Sequence, residues 1–230
     1  MRILKFKLWW RFWHYRKFYT TTSALTYSLP TFSALKGLLA AILWFEKDSY
    51  NQEFSNVKLW IKLLNSVQKH IIWLNFLNKP ENIKKGDLYT QIKFEILLSP
   101  SYEIFVADEN FKYFDDLVKK LSFHRREYTP YLGVAFFIAN IRYVWIFETK
   151  EQIYENVEVS SIISFEKLKD WSNLIIKKNQ MLEIENLPYA IDSQRNCMWL
   201  RKVIFDSNGS KISLKQFKWF KVGDDIIDLI

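Results

Sequence analysis

The residues best suited to chemistry stand together near the start of the chain. The stretch "RFWHYRKFYTTTS", residues 11–23, brings Arg11, His14, Arg16 and Lys17 up against Tyr19, Thr20, Thr21, Thr22 and Ser23. Cations neutralise phosphates, and hydroxyls with backbone N–H groups in an irregular loop hydrogen-bond phosphate or ribose oxygens. A helix after the stretch adds its positive N-terminal end. The spacing predicts a phosphate cradle; a solvated loop whose threonines satisfy local backbone groups explains the same residues. His14, Tyr15 and Lys17 also supply the base, acid and cation types of a metal-independent ribonuclease. Such triplets arise readily by chance in an aromatic, basic chain.

Elsewhere the chemistry is sparse. His14, His70 and His124 are scattered, with no helical His pair for zinc, no Gly-rich phosphate loop and no nucleophile elbow, so no catalytic residue, metal or cofactor is expected. A single cysteine, Cys197, excludes an intrachain disulfide and fits a reducing compartment, with the cytoplasm expected. In "HRREYTPYLG", residues 124–133, Arg125 and Arg126 suit phosphate or simply solvent, while Thr129-Pro130 ends a helical pattern and Gly133 permits an unusual turn. Lys84 and Lys85 lie in the polar segment Asn78 to Thr90, which reads as a long excursion where they touch a nucleic-acid backbone or nothing specific.

These residues need elements to hold them. Strict alternation from Leu4 to Phe12 predicts a half-buried strand with Lys5, Lys7, Trp9 and Arg11 on one face, and Val57 to Leu63 repeats it with Lys58, Trp60 and Lys62 outward. In one sheet they make an outer face of cations and tryptophans, suited to base stacking, to a partner subunit or to packing by the C-terminal part. Between them Leu35, Leu38, Leu39, Ile42 and Phe45 predict a helix with Ser33 as N-cap and, at Gly37, close approach by another backbone. A second helix is predicted from about Asn110 to Leu121, and strands at Ile92 to Leu98, Tyr102 to Val106 and Arg142 to Phe147.

Strand, helix, strand, then strand, helix, strand is the ferredoxin-like (RRM-like) order of an α+β domain. A boundary near residue 150 divides it from a smaller β-rich part, residues 151–230, in which Asn208-Gly209 predicts a tight hairpin. With 230 residues, 49% of them hydrophobic and 18% aromatic, the chain can bury a real core. Net charge is +8 and the pI about 9.3, which suits an acidic partner. Lys5, Lys7 and Arg11 interrupt the N-terminal apolar residues, so no signal peptide is expected, and no apolar run approaches the roughly 20 residues of a membrane span.

Two segments resemble the fifth family of CRISPR-associated (Cas) proteins, the RAMP-type subunits of Cascade. They are "YRKFYTTTSALTYSLPTFSALKGLLAAIL", residues 15–43, and "YTPYLGVAFFIANI", residues 128–141. "LNFLNKPENIKKGDLYTQIKFEILLSPSYEIFVA", residues 74–107, is similar in order and spacing, so the likeness covers roughly residues 1–148 and is nearest to the type I-B branch. It implies a ferredoxin-like RAMP domain with a thumb at about residues 75–91 that holds the 5′ handle of a CRISPR RNA (crRNA). The implied neighbours are the seventh-family backbone subunits and the large Cascade subunit of a DNA-targeting complex. Carried over by position, Arg16, Lys17, Tyr19, Thr20, Thr21, Thr22 and Ser23 are handle contacts, with Lys36 and Gly37 next. Phe18 stands where the family has proline, and Gly209 and Gly223 are isolated where a glycine-rich RAMP loop is expected. Most of the family does not cut RNA but the type I-C branch does, so repeat cleavage stays open, as does a purely structural subunit.

Overall fold

Leu4, Phe6 and Leu8 alternate with Lys5 and Lys7, and a chain with that period has one face to bury; it forms strand β1 (Arg2–Trp9). Apolar residues spaced by three and four form α1 (Phe32–Leu43), which buries the stripe Leu35, Leu38, Leu39 and Ile42. The computed structural model describes residues 1–21, 23–46, 49–109, 111–168, 171–192 and 194–228. It continues with β2 (Leu59–Leu63), β3 (Lys69–Leu77), β4 (Tyr89–Leu98), β5 (Ser101–Ala107), α2 (Phe114–Ser122), β6 (Val134–Ile138) and β7 (Asn140–Glu148). Four strands form an antiparallel sheet in the order β2-β5-β1-β7. On one face Leu4, Phe6 and Leu8 share a core with Leu35 and Leu39 of α1 and Leu117 and Leu121 of α2.

Several elements differ from their sequence expectation. β1 stops at Trp9, not Phe12, because the chain changes sheets: Phe12 and Trp13 pair with Leu98 and Leu97 of β4. Thr31, not Ser33, caps α1, its hydroxyl accepting from the Ala34 N–H at 3.1 Å. Gly37 is approached by a side chain, not a backbone: a Cβ there meets the Tyr50 hydroxyl at 3.0 Å. α2 begins at Phe114 rather than Asn110, which lies outside the described residues. The excursion is the tip of a ribbon in which β3 pairs with β4 from Lys69↔Leu97 to Leu77↔Tyr89, with one helical turn at Pro80–Ile83. Ile71, Trp73, Leu77 and Tyr89 are exposed, so the ribbon stands out into solvent.

The C-terminal part adds β8 (Glu151–Val159), β9 (Leu182–Ile191), β10 (Cys197–Asp206), β11 (Ile212–Val222) and β12 (Asp225–Ile227). β10 pairs with β9, whereas β11 pairs with β8 and β12. Asn208-Gly209 therefore makes no hairpin; its turn, closed by the Gly209 N–H on the Asp206 carbonyl at 2.9 Å, carries the chain from one sheet to another. The β11–β12 hairpin lays Val222 and Ile227 on Ile3, Trp60, Phe105 and Ala107, on the sheet face away from the helices.

That contact corrects the expected outward surface. Trp60 is fully buried, and Asp225 accepts from Lys5 at 2.8 Å and Lys62 at 2.6 Å while Glu103 sits 2.9 and 3.1 Å from the same two ammonium groups. Packing by the C-terminal part, one of the three readings of this face, holds for this half of it. Burial raises the Asp225 carboxyl, but the two lysines outweigh it and hold it below its ordinary range. Asp225→Ala leaves two half-buried cations sharing Glu103 alone and is expected to cost about 3 kcal/mol, read as a drop in the urea midpoint at unchanged m-value.

Candidate nucleic-acid interface

After Trp13 the chain runs through an irregular loop to Thr31, and long-range bonds fix its base. The His14 N–H donates to the Leu132 carbonyl at 3.3 Å, the Tyr27 N–H to the Tyr15 carbonyl at 2.9 Å and the Lys17 N–H to the Leu25 carbonyl at 2.8 Å. The Ala24 N–H donates to the Lys93 carbonyl at 3.1 Å and the Glu95 N–H to the Ala24 carbonyl at 2.9 Å, sewing the loop to β4. The Glu185 carboxylate accepts from the Ser28 N–H at 3.0 Å and stands 3.2 Å from the Lys17 ammonium, tying the loop to β9. Burial raises the Glu185 carboxyl against the pull of Lys17 and Lys69.

The expected site residues separate into those presented to solvent and those built into the base. Phe18 and Tyr19 are 57% and 61% exposed at the loop tip, edge to face with ring centres 5.3 Å apart. Arg16 is exposed and donates to the Thr20 and Thr21 carbonyls at 3.0 and 3.3 Å; two bonds leave its planar fork with donors to spare. The Thr20 hydroxyl donates to the Lys17 carbonyl at 2.8 Å, the local role that a solvated loop also assigns it. Thr21 is exposed and Ser23 half-buried; Thr22 lies outside the described residues. Lys17 is half-buried on Glu185, so its charge is already spoken for.

His14 is a core residue. Its ring is 2% exposed, lies 3.8 Å from the Phe94 ring centre, and places Nδ1 2.7 Å from the Glu95 carbonyl oxygen. Burial lowers its pKa, against the Glu95 carbonyl. Tyr15 is likewise buried, and burial raises its hydroxyl pKa well out of the physiological range. The three types that suggested a ribonuclease therefore do not meet on a surface.

Lys36 is also interior. It is 6% exposed, its ammonium donates to the Ser55 carbonyl at 3.1 Å and stands 4.2 Å from the Tyr189 ring centre. Burial, then repulsion from Arg201, brings its pKa down to about 8 from 10.5. Between those values the unfolded chain binds more protons than the folded one, so stability rises with pH, by up to about 3 kcal/mol. Lys36→Met should remove that rise, measured by urea unfolding at about pH 7 and about pH 10.

The remaining candidates are dispersed. Lys84 and Lys85 are exposed at the ribbon tip. Arg11 is exposed beside the Phe12 ring. Arg126 donates to the Ala139 and Ile141 carbonyls at 3.3 and 3.5 Å, and Arg125 is exposed beside it. Gly37 lines a cleft of about 840 Å³ with Ser33, Tyr50, Tyr128, Tyr131 and Gly133, at the base of the loop. Tyr128 and Tyr131, in "YTPYLG", line this cleft as well, and their spacing about Pro130 is visible in the sequence.

Charge is divided unevenly along the chain. Residues 1–150 hold 22 Lys and Arg against 13 Asp and Glu, and residues 151–230 hold 11 against 12, so the whole excess lies in the part that carries the loop and the ribbon. Among the described residues no cluster of His, Cys, Asp and Glu suits a metal ion, and no helix is long and apolar enough to cross a membrane.

Sheet, loop and ribbon define a strand-rich mixed α/β protein with a basic N-terminal part, and its fold recurs in solved structures. A chain of a CRISPR RNA-guided surveillance complex matches with a TM-score of 0.51 and 12% identity, over 92% of this chain and 91% of that one. A CRISPR protein from Archaeoglobus fulgidus matches with a TM-score of 0.53 and 12% identity, over 99% and 98%. A chain of a type III-B Cmr-beta complex bound to cognate target RNA and AMPPnP matches with a TM-score of 0.52 and 12% identity, over 93% and 86%. No curated protein matches significantly. The family model described as CRISPR-associated protein (Cas_Cas5) matches residues 3–199, and the chain belongs to that family.

Proposed function

We propose that this chain is a non-catalytic, RNA-binding subunit of a type I CRISPR Cascade complex, nearest to type I-B, that caps the 5′ handle of the crRNA. In this reading the β2-β5-β1-β7 sheet with α1 and α2 on one face is a ferredoxin-like RAMP domain, whose strand order it shares. The β3–β4 ribbon is the thumb, and its exposed apolar residues meet the seventh-family and large subunits. Target DNA is engaged through the assembled complex, in the cytoplasm.

The observation that carries the reading is the loop tip, inside the matched family region. A guanidinium with free donors stands beside two exposed rings, on a base held by β4 and β9. Arginine binds phosphate, the rings stack on unpaired bases, and the tyrosine-lined cleft below accepts a splayed base. The buried positions of His14 and Tyr15 speak against the cleavage alternative.

Binding of repeat-derived RNA, measured at two salt concentrations, tests the proposal. Arg16→Ala with Tyr19→Ala is expected to weaken handle binding at least about tenfold, the size of one lost stacked base or charged contact. Equal affinity for scrambled handle sequence reduces the site to generic polyanion binding. A repeat hairpin incubated without metal should stay intact; cleavage contradicts the non-catalytic reading.

A further inference from the structure

The β11–β12 hairpin covers only part of the outer sheet face, ending at Ile3, Trp60, Phe105 and Phe147. Beyond it Lys7 and Trp9 of β1 and Arg142 and Trp145 of β7 share that face, since Lys5 pairs with Trp145 and Lys7 with Arg142. The Lys7 ammonium lies 5.6 Å and the Arg142 guanidinium 5.9 Å from the Trp9 ring centre. Trp145 is 61% exposed, and Arg11 follows two residues after Trp9. Lys7, Arg11 and Arg142 make no ion pair with another described residue, while the nearby acids Glu103 and Asp225 are already neutralised by Lys5 and Lys62.

We propose that this strip of two uncompensated cations, Lys7 and Arg142, and two tryptophans is a second RNA-binding surface, which takes the unpaired segment of RNA leaving the handle loop. Bases stack on Trp145 and Trp9, and Lys7 and Arg142 neutralise the phosphates between them, with Arg11 two residues beyond Trp9. Charge decides the occupant. An apolar protein face covering the strip strips water from two unpaired cations, whereas a polyanion gains by releasing its counterions there. Proximity decides the source: Arg16 lies seven positions after Trp9, at most about 25 Å of extended chain, so RNA held at the loop reaches the strip within a few nucleotides.

The inference rests on the reading of the loop as an RNA site, and the experiment separates the two. Full-length protein is titrated with labelled handle RNA, and with the same RNA extended by a uridine tail of about 12 nucleotides, a length an unpaired-strand groove holds. The extension should tighten binding of the unaltered protein about tenfold. Arg142→Ala with Trp145→Ala should abolish that gain and leave handle binding unchanged; both side chains are exposed, and an unshifted melting curve confirms the fold. Trp145→Phe with Arg142 intact should keep most of the gain, because a ring remains. Arg16→Ala with Tyr19→Ala should do the reverse, weakening the handle and leaving the gain. No gain from the tail, or a gain that survives in the Arg142 and Trp145 variant, overturns the strip; loss of handle binding with the gain retained leaves it standing.

Discussion

Gly133→Ala should be the most damaging single substitution, lowering stability by about 3 kcal/mol or more. Gly133 has φ +88°, and a Cβ there falls 1.6 Å from the His14 carbonyl oxygen and 2.7 Å from its carbon. The obstacle is backbone, and it cannot yield alone. The His14 N–H is bonded to Leu132 and its ring to the Glu95 carbonyl, so moving it displaces the entry to the loop and the end of β4 together. Gly86→Ala is the internal control: its φ is +95°, but nothing lies within 4 Å, so only local strain of about 1 kcal/mol is expected. Urea unfolding of the two variants should separate these costs. At temperatures where Gly133→Ala is still folded, its handle affinity should also fall, because the loop base has moved.

Lys17→Ala should cost nearly as much, about 3 kcal/mol, by a different route. Its ammonium is the partner of Glu185, whose side chain is 10% exposed and also receives the Ser28 N–H. Without Lys17 the buried carboxylate keeps one backbone donor and only the unbonded pull of Lys69. Lys17→Met with Glu185→Gln removes both charges and should restore most of the loss, since a neutral amide still accepts from Ser28. The double variant also isolates function: if Lys17 only braces the loop, the restored protein binds the handle with unchanged affinity. Unfolding curves and RNA titrations on the four proteins of this cycle decide both points.

Faces were easier to read in the sequence than what covers them. The alternation in β1 and the helical spacing in α1 and α2 each follow from one buried side, and the strand-helix order of the first half follows from those periods. β3 buries no residue fully, with only Ile72 and Leu74 packing partly on the core, and apolar residues on both sides of "KHIIWLNFL" hide the period that would mark its strand. Thr31 and Ser33 are equally good caps by type; the helix starts at Phe32, so Thr31 takes the cap and its hydroxyl accepts from the Ala34 N–H. The hairpin at Asn208-Gly209 failed because the turn is local while the pairing of β10 and β11 is not. The outer face was read as cationic and aromatic, yet residues 222–227, far along the chain, bury Trp60 and neutralise Lys5 and Lys62. In the loop the residue types suggested phosphate chemistry, but no spacing indicates that His14 turns inward onto Phe94 or that Lys17 meets Glu185. What remains at the surface, Arg16 and Thr21 with Phe18 and Tyr19, includes the phenylalanine that stands where the family has proline.

Photo-crosslinking tests the loop most directly. Repeat-derived RNA carrying a photoreactive uridine at successive handle positions is bound to the full chain, irradiated, and the adducts are located by mass spectrometry. Adducts at Phe18 or Tyr19 from at least one handle position, lost on competition with unlabelled handle RNA, are the expected result. Efficient crosslinking from every handle position to peptides outside residues 15–31, with none at those two rings, contradicts the assignment of the loop as the handle site.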